Sequence, residues 1–466
     1  MRKIDWRSIL RNNAVTVMFV ALCVLCLAYS GQSLSFVMYE LFGRLSRNAF
    51  IVLALIIPIV AGMGINFAIT IGAMAAQIAV LWVIEWGISG LPGMALAALM
   101  TVPLAAFFGF LIGKLLNKMK GQEMIGGLIL GYFANGLYQL LFLFIFGNLI
   151  PLNAPGLVIK GSTGVANTID LSTTRGFKYA LDGLWQVSFA DAALVMLVAL
   201  LIALALRLVV KKNAVIRVSC SVLLTFAACL VSAIAPQLGL TLPMAIVSGV
   251  ILLMFTIMLG GADFKLQKPL IYLGVLAVCT AIVRIPAVAS LFAMVKVPMA
   301  TFMVVGVLCL FNTALLKTRI GQQFRAVGQN RTVANASGIN VDKVRVIAIM
   351  ISTVLAGWGQ LIFVQNMGSF QTYGAHEQVG LYAGAAILVG GASIRKATNG
   401  QALLGCILFH LLFIVAPNAG KNLFGDAAIG EYFRVFISYG VIALALVMHA
   451  WSGVQKKKKA DEALKS

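Results

Sequence analysis

Residues 51–60 read Ile-Val-Leu-Ala-Leu-Ile-Ile-Pro-Ile-Val and contain no polar residue. Residues 441–448 are apolar throughout in the same way. A membrane-spanning β-strand would instead alternate apolar and polar side chains with a period of two residues. These stretches therefore exclude a transmembrane barrel and favour α-helices in an apolar environment.

The composition of the whole chain agrees with that interpretation. Of its 466 residues, 61% are apolar and 11% are charged, and the mean hydropathy is +1.00. Soluble domains are roughly half apolar and a quarter charged, and one bilayer crossing needs about 20 apolar residues. We predict an all-α polytopic membrane protein with about 14 transmembrane helices. The predicted helices are 13–31, 47–61, 66–86, 92–115, 123–150, 189–209, 215–236, 241–261, 269–285, 298–317, 344–366, 378–393, 399–418 and 431–452.

The positive charge of the chain follows the predicted topology. The net charge is +21, from 35 Lys and Arg against 14 Asp and Glu. Such an excess is compatible with nucleic acid or a membrane surface as partner, but most of these cations fall in loops on one side of the helix pattern. Cytoplasmic loops carry this excess. The distribution predicts that both termini are cytoplasmic and that the chain contacts membrane lipid rather than nucleic acid.

Residues that would support catalysis or metal binding are not grouped. The seven cysteines fall inside predicted helices, and His376, His410 and His449 are far apart, with no carboxylates at ligand spacing. No phosphate-binding loop of the type G-x-x-x-x-G-K-[ST] occurs. We predict no catalytic residue, no metal and no cofactor, so the chain is not expected to be an enzyme.

A first glycine-interrupted segment lies at residues 61–76, Ala-Gly-Met-Gly-Ile-Asn-Phe-Ala-Ile-Thr-Ile-Gly-Ala-Met-Ala-Ala. Irregular backbone at membrane depth is tolerated where it is buried in protein or lines a cavity. The candidate translocation residues here are Gly64, Asn66, Thr70 and Gln77, because the polar ones offer hydrogen bonds to a solute. Close helix packing through small residues is an equally good explanation of this segment alone.

A second segment of this kind lies in the other half of the chain, at residues 380–393, Gly-Leu-Tyr-Ala-Gly-Ala-Ala-Ile-Leu-Val-Gly-Gly-Ala-Ser. Its candidate pathway residues are Tyr382, Gly390 and Gly391. Paired glycine-interrupted segments in two halves of a chain indicate a pathway between inverted repeats. The pairing favours two mid-membrane segments over packing alone.

The third informative stretch is the long polar loop 321–343. Its centre, residues 331–337, predicts a short helix, and Gly338 is a suitable residue to end it. The small residues Ala334, Ala336 and Gly338 would let this helix enter a groove of a partner. A loop that only tethers two spans would not need them.

The stretch from Gly321 to Gly357, with the core A-V-G-Q-N-R-T-V-A-N-A-S-G-I-N-V, resembles the coupling loop of ABC importer permeases of the ribose, nucleoside and branched-chain amino acid group. Residues 64–73 and 383–393 look like the two mid-membrane segments of that group. The resemblance covers roughly residues 1–209 and then 318 to the C-terminal region. By matching position it implies five ATPase-coupling residues. These are Ala326, Gly328, Asn330, Ala334 and Gly338.

The resemblance implies partners and a location. It implies a dimeric pore made with a second permease copy or a related permease, cytoplasmic ABC ATPase subunits and an extracytoplasmic solute-binding protein. The location would be the cytoplasmic (inner) membrane of a prokaryote. The chain departs from the group at residues 66–68 and at Tyr382, where sugar permeases commonly have a nearby acidic residue, and at residues 394–397, Ile-Arg-Lys-Ala, in place of a small-residue turn.

The predicted organisation has five parts. They are an N-terminal transmembrane half at 1–209 with an outer loop at 151–187, an additional insert of about four helices at 210–317, the coupling loop at 318–343, a C-terminal transmembrane half at 344–452 and a basic cytoplasmic tail at 453–466. The composition of the outer loop suits a folded polar loop or a docking surface, and an ordinary surface loop is the default interpretation. An even number of crossings in the insert returns the chain to the cytoplasm.

These observations predict the permease subunit of an ATP-driven importer for a small polar solute of the nucleoside, sugar or amino acid type. ATP hydrolysis would occur on a separate chain. An ion-gradient-driven secondary transporter is the alternative, and a non-transporting membrane scaffold is a second one. The secondary carrier usually needs a buried ionisable group, and the sequence offers no strong candidate for one.

Overall fold

The computed structural model describes residues 14–119, 121–158, 164–210, 213–235, 237, 239–260, 266–426, 428–436, 439–440, 443 and 447. Residues 1–13, most of the predicted last helix 431–452, His449 and the predicted basic tail 453–466 lie outside them. The chain divides into two compact units. Unit 1 contains residues 1–32, 47–178 and 312–466, and unit 2 contains residues 33–46 and 179–311.

The described secondary structure is almost entirely helical. The first eleven helices are α1 Ala14–Ser30, α2 Leu34–Ala54, α3 Ile56–Val60, α4 Ile69–Glu85, α5 Gly90–Lys118, α6 Glu123–Leu140, α7 Phe189–Val209, α8 Ala214–Ile234, α9 Leu242–Met258, α10 Gln267–Val283 and α11 Pro286–Ala289. The next six are α12 Met299–Leu315, α13 Arg319–Gln329, α14 Arg331–Ala336, α15 Val341–Met367, α16 Val379–Val389 and α17 Asn399–Phe424. Four short strands are β1 Thr168–Asp170, β2 Gln186–Ser188, β3 Lys296–Pro298 and β4 Ser369–Gln371.

The helices confirm the polytopic membrane class, but not the predicted number of crossings. In the described residues, seven helices are long and apolar enough to cross a membrane, or nine if each of two bent pairs is one span. The predicted fourteen are therefore not confirmed. Several predicted spans are short helices: α4 has 17 residues and α16 has 11. At 1.5 Å per residue they measure about 26 Å and about 17 Å, less than the hydrocarbon thickness of about 30 Å.

The helix predicted at 47–61 begins earlier and is interrupted. Helix α2 starts at Leu34, and α3 follows it after Leu55. The charged residues before position 47 do not interrupt α2, because Arg44 and Glu40 lie one turn apart on it and form an ion pair of 3.6 Å. Such i,i+4 pairs are compatible with a continuous helix.

Unit 1 is organised around α15, which packs against α4 and α5. Glycines make the close approach between α5 and α15 possible. A Cβ atom at Gly109 would lie 2.9 Å from Met350 Cα, and one at Gly113 would lie 2.9 Å from Val346 Cα. Elsewhere in unit 1, α17 packs on α1 and α16 packs on α17. The core of this unit is therefore a bundle in which small residues set the helix spacing.

The described part of the predicted outer loop is folded. Strand β1 pairs antiparallel with β4, with Ile169 opposite Phe370. The carboxylate of Glu85 accepts hydrogen bonds from the N–H groups of Asn153 (2.8 Å) and Ala154 (2.9 Å). These contacts fix the loop to the ends of α4 and α15.

Unit 2 contains α7 to α11 and a small two-stranded sheet of its own. Helix α7 packs against α9 and α10, and α8 packs against α9. Strands β2 and β3 pair antiparallel, with Val187 opposite Val297. The buried hydroxyl of Thr301 donates to the carboxylate of Asp182.

Candidate functional site

A helical pair formed by α13 and α14 occupies most of the loop predicted to couple to an ATPase. Thr318 caps α13 by accepting a hydrogen bond from the N–H of Gly321 at 3.2 Å. Asn330 caps α14 by accepting from the N–H groups of Thr332 (3.0 Å) and Val333 (3.2 Å). Gly338 follows α14 with a φ of +80°. The predicted short helix ended by this glycine is confirmed.

A buried carboxylate fixes the helical pair to the rest of unit 1. Glu123, the first residue of α6, is 7% exposed, and its Oε1 contacts Arg345 Nη2 of α15 at 2.5 Å. The same oxygen contacts Arg331 Nη1 of α14 at 2.8 Å. Arg345 is 2% exposed, so its charge depends on this partner for compensation. One carboxylate therefore joins the first turns of α6, α14 and α15.

A second contact brings the helical pair against the first glycine-interrupted segment. Arg331 Nη2 donates to the carbonyl oxygen of Gly62 at 2.9 Å. Gly62 has a φ of +74°, and a Cβ atom there would lie 2.7 Å from Gly328 Cα. A Cβ atom at Gly328 would in turn clash with the carbonyl oxygen of Val60. Two glycines thus allow direct backbone contact between α13 and the end of α3.

The predicted coupling residues occupy different environments within this helical pair. Ala334 is 3% exposed and packs inside the chain, while Asn330 and Gly338 are exposed. Ala326 and Gly328 are intermediate. Asn330 also acts as the cap of α14, a structural role. The exposed members of the predicted set thus lie at the two ends of α14, Asn330 at its start and Gly338 after its end.

The two glycine-interrupted segments meet in unit 1. A Cβ atom at Gly380 would lie 2.6 Å from the carbonyl oxygen of Phe67 and 2.9 Å from Thr70 Oγ1. A Cβ atom at Gly384 would lie 2.9 Å from the ring of Phe67. Gly64, with a φ of +71°, faces α6 instead, because a Cβ atom there would lie 2.9 Å from Met124.

Of the remaining candidate pathway residues, Asn66 lies in the first segment, whereas Tyr382 and Gly390 of the second segment contact α17. Asn66 is 3% exposed and its Nδ2 has no hydrogen-bond partner. Tyr382 packs its ring on Phe409 and Phe413 of α17. Gly390 is also packed tightly against α17, and the adjacent Gly391 has a φ of +85°.

A buried polar cluster surrounds Gln77. His376 Nδ1 lies 2.9 Å from Gln77 Oε1, and His376 Nε2 lies 2.7 Å from Asn135 Oδ1. Tyr138 donates its hydroxyl to Gln77 Oε1 at 2.8 Å, and Asn135 Nδ2 donates to Glu377 Oε1 at 3.0 Å. Gln77 is 0% exposed and its Nε2 has no partner. A buried amide with an unsatisfied group is costly unless a polar ligand reaches it.

His376, in the segment between β4 and α16, gives a pH-dependent prediction. Burial lowers its pKa from 6.5 to about 4. Between these values the unfolded chain binds a proton that the folded chain does not, so stability decreases as the pH falls below 6.5. From pH 7.5 to 4.5 we expect this group to lower the free energy of unfolding by about 2–3 kcal/mol. Equilibrium unfolding of the wild type and of His376→Gln at both pH values measures this decrease. An equal decrease in the free energy of unfolding of the two proteins would contradict the prediction.

Neither the Glu123 ion pairs nor the His376 cluster can be recognised from the sequence alone. In the sequence, Glu123 stands near the end of a predicted span, and His376 is far from the other histidines. The partners of Glu123, Arg331 and Arg345, are more than 200 positions away from it in the chain. Asn135 is similarly distant in sequence from His376. Within the described residues, no three His, Cys, Asp or Glu side chains lie together as a metal site requires.

Comparison with known proteins supports a transport family. Residues 185–447, more than half of the chain and including the predicted insert, match the family model described as "Branched-chain amino acid transport system / permease component". The Ribose import permease protein RbsC of Escherichia coli (strain K12) is 31% identical over 134 residues, 28% of this chain and 39% of that protein. The Xylose transport system permease protein XylH of Haemophilus influenzae is 27% identical over 162 residues, 35% of this chain and 40% of that protein.

A nucleoside transporter is similar over a comparable length. The Nucleoside ABC transporter permease protein NupB of Lactococcus lactis subsp. cremoris is 24% identical over 168 residues, 35% of this chain and 44% of that protein. The chain thus spans less than half of the length of these three relatives. No solved structure matches the chain. The resemblance to the ribose, nucleoside and branched-chain amino acid permease group is confirmed, and the chain belongs to the family of permease components of branched-chain amino acid transport systems.

Proposed function

We propose that this chain is the membrane-spanning permease subunit of an ATP-binding-cassette importer. It would move a small polar solute of the nucleoside, sugar or amino acid type across the cytoplasmic membrane. The relatives named for ribose, xylose and nucleosides support this class of solute. ATP hydrolysis would take place on a separate partner chain.

The observation that carries the proposal is the anchoring of the α13–α14 helical pair. Its exposed end would contact an ATPase, while Arg331 binds both Glu123 Oε1 and the Gly62 carbonyl oxygen. Force applied to α14 would therefore act on α6 and on the interrupted segment after α3. The Glu123–Arg345 contact of 2.5 Å extends the same connection to α15.

Movement of these elements would be transmitted by rigid helices. Packed helices shift as units rather than deforming continuously. In unit 1, α15 packs on α4 and α5, and α4 carries Gln77. A displacement of α14 would thus change the position of the polar cluster around Gln77 through backbone and ion-pair contacts.

The Gln77 cluster and the meeting of the two glycine-interrupted segments are the proposed translocation pathway. The unpartnered amide groups of Asn66 and Gln77 would bind hydroxyl or amine groups of a passing solute. Gly64 and Gly391, which have positive φ, would let the backbone change as the gates alternate, and Gly390 would keep the second segment in close contact with α17. We also keep inverted repeats as the proposed relation between the segments.

The wider assembly follows from the family and the predicted topology. The partners would be cytoplasmic ABC ATPase subunits, a second permease copy or related permease, an extracytoplasmic solute-binding protein and membrane lipid. Both termini would be cytoplasmic, in a prokaryotic inner membrane. We propose the five-part organisation of the sequence analysis, with residues 210–317 packed at the periphery.

Reconstitution of the full chain tests the function. Proteoliposomes that contain the chain, its ATPase and its solute-binding protein should hydrolyse ATP faster when ribose, a nucleoside or a branched-chain amino acid is added. A binding screen on the solute-binding protein selects the solute first. Uptake at full rate without an ATPase, driven by an ion gradient, would instead support the secondary transporter.

Gly338→Lys gives a sharper test of the coupling surface. A Cβ atom at Gly338 meets no atom within 4 Å, so the substitution costs only the strain of a positive φ, roughly 1–2 kcal/mol. The new side chain stands at the exposed end of α14. We expect ATPase association and solute-stimulated hydrolysis to fall to background while the chain remains folded, measured by copurification and hydrolysis rate.

Gly425→Lys is the matched control. Gly425 also has a positive φ, +77°, and open space around its Cβ position, but it follows α17. It should retain hydrolysis and association. Normal coupling in Gly338→Lys, or equal losses in both variants, would contradict the proposed coupling surface.

A further inference from the structure

A cavity in unit 1 lies beside the α13–α14 helical pair and takes no part in the proposed pathway. Its volume is about 740 Å³. Its lining includes four exposed cations, Lys317, Arg325, Arg395 and Lys396, and no carboxylate. None of the four has an ion-pair partner among the described residues. The cavity therefore has a strong excess of positive charge.

The beginning of α17 adds to this positive potential. Thr398, Asn399 and Gly400 line the cavity, and Thr398 caps the helix by accepting from the N–H of Gln401 at 3.3 Å. First-turn N–H groups have no carbonyl partner within their helix, and the helix dipole favours an anion at this end. The backbone at the start of α17 and the four cationic side chains thus both favour a negatively charged ligand.

A buried polar side chain in the same cavity indicates a ligand with hydrogen-bond donors. Asn312 is 1% exposed and lines the cavity. Its Nδ2 donates to the carbonyl oxygen of Leu53 at 3.2 Å, whereas its Oδ1 has no hydrogen-bond partner. An unsatisfied buried acceptor costs about 1–3 kcal/mol. A ligand that combines an anionic group with a hydroxyl donor would satisfy both the cations and this oxygen.

An exposed apolar strip leads away from the cavity along α17. Leu404 is 42% exposed and Ile407 is 36% exposed. They lie four and seven residues after Gly400, so all three positions share one face of the helix. An aliphatic chain attached to a ligand in the cavity can lie on this strip. A soluble phosphate compound would leave it uncovered.

We propose that this cavity binds the headgroup of an anionic phospholipid with hydroxyl groups, of the phosphatidylglycerol type, with its acyl chains along α17. The phosphate would bind Arg395, Lys396 and the first turn of α17, and a headgroup hydroxyl would donate to Asn312 Oδ1. Basic pockets next to membrane helices bind anionic headgroups in this way. Because Arg325 and Gly328 of α13 also line the cavity, an occupying lipid would touch the helical pair.

Binding of defined lipids to the full chain tests the proposal. The delipidated chain in neutral detergent is titrated with phosphatidylglycerol or phosphatidylcholine and bound lipid is counted by native mass spectrometry. We expect phosphatidylglycerol to bind at least tenfold more tightly. The double variant Arg395→Gln with Lys396→Gln should weaken phosphatidylglycerol binding about 30-fold, because each lost cation contributes about 1 kcal/mol. The control is Lys118→Gln with Lys343→Gln, which loses the same charge. Its affinity for phosphatidylglycerol should stay within about twofold of the wild type.

A second variant fills the cavity without removing charge. A Cβ atom at Gly400 meets no atom within 4 Å, so the Gly400→Phe variant is expected to fold. Its phenyl ring should weaken the binding of phosphatidylglycerol at least tenfold. Gly274→Phe, at an equally open helical glycine, is its control. Equal binding of the two lipids, or unchanged binding in Gly400→Phe and in the double variant, would overturn the proposal.

Two further outcomes would identify another occupant. If glycerol 3-phosphate or inorganic phosphate binds as tightly as phosphatidylglycerol, the ligand is a soluble phosphate compound and the lipid proposal is wrong. If phosphatidylglycerol does not bind, while an ATPase subunit binds and is lost in the Arg395 and Lys396 variant, the surface belongs to a protein partner. That result would also overturn the proposal, and it would leave the transport function intact.

Discussion

Glu123→Gln is expected to lower the free energy of unfolding by about 3–5 kcal/mol, because it removes the charge that compensates Arg345 inside unit 1. Arg345 is 2% exposed and cannot recover its hydration. The contribution of Arg331 is smaller, since its side chain is 37% exposed and ion pairs near solvent are weak. Equilibrium unfolding of the purified full chain in detergent measures the change.

Glu40→Gln is the matched control for this prediction. It removes the same charge from a half-exposed pair with Arg44, for which a change below about 1 kcal/mol is expected. The double variant Glu123→Leu with Arg345→Met should recover most of the loss, because apolar residues of similar volume replace a buried ion pair well. Similar small losses in Glu123→Gln and Glu40→Gln would contradict the compensating role of Glu123.

Gly328→Ala is expected to uncouple α13 from the interrupted segment after α3. The added methyl group would clash with the carbonyl oxygen of Val60, and the backbone must move apart. An overpacking cost of about 1–3 kcal/mol lowers the population of the contacting arrangement about 5- to 150-fold. Solute-stimulated ATP hydrolysis and uptake by the reconstituted importer should fall by a factor in this range.

Gly136→Ala controls for the general effect of an alanine in a helix. Gly136 lies in α6, and its Cβ position is open. This substitution should be neutral or should stabilise the chain by up to about 1 kcal/mol. If the Gly328→Ala importer takes up solute as fast as the Gly136→Ala importer, the contact between Gly62 and Gly328 does not transmit movement.

The membrane class and the short helix α14 could be predicted because both are local in the sequence. Apolar stretches such as 51–60 define helices without reference to any other part of the chain. Helix α14 is similarly local, with Asn330 as its cap and Gly338 after its end. The number of crossings could not be predicted in this way. Apolar character does not distinguish a full span from the 11-residue helix α16, which ends where glycines follow.

The ion pairs and the polar cluster could not be predicted because their members are distant in sequence. Glu123 and Arg345 each occupy a helix terminus, where a charge is usually solvated. Only the tertiary fold, which brings the first turns of α6 and α15 together, buries them as an ion pair. Gln77 was identified from its amide, but its contact with His376 depends on how the segment after β4 returns to α4. In both cases the chemistry arises from long-range contacts.

The sequence by itself determined that this chain is a helical membrane protein with a capped helical segment in a polar loop, because composition, caps and glycine positions act within a few residues. The tertiary structure alone decided that Arg331 binds Glu123 and Gly62, and that the α13–α14 helical pair is thereby anchored to the membrane helices. The physical reason is desolvation. A charge selects its partner only when folding removes the surrounding water, and no local pattern records which distant residue will then be nearby.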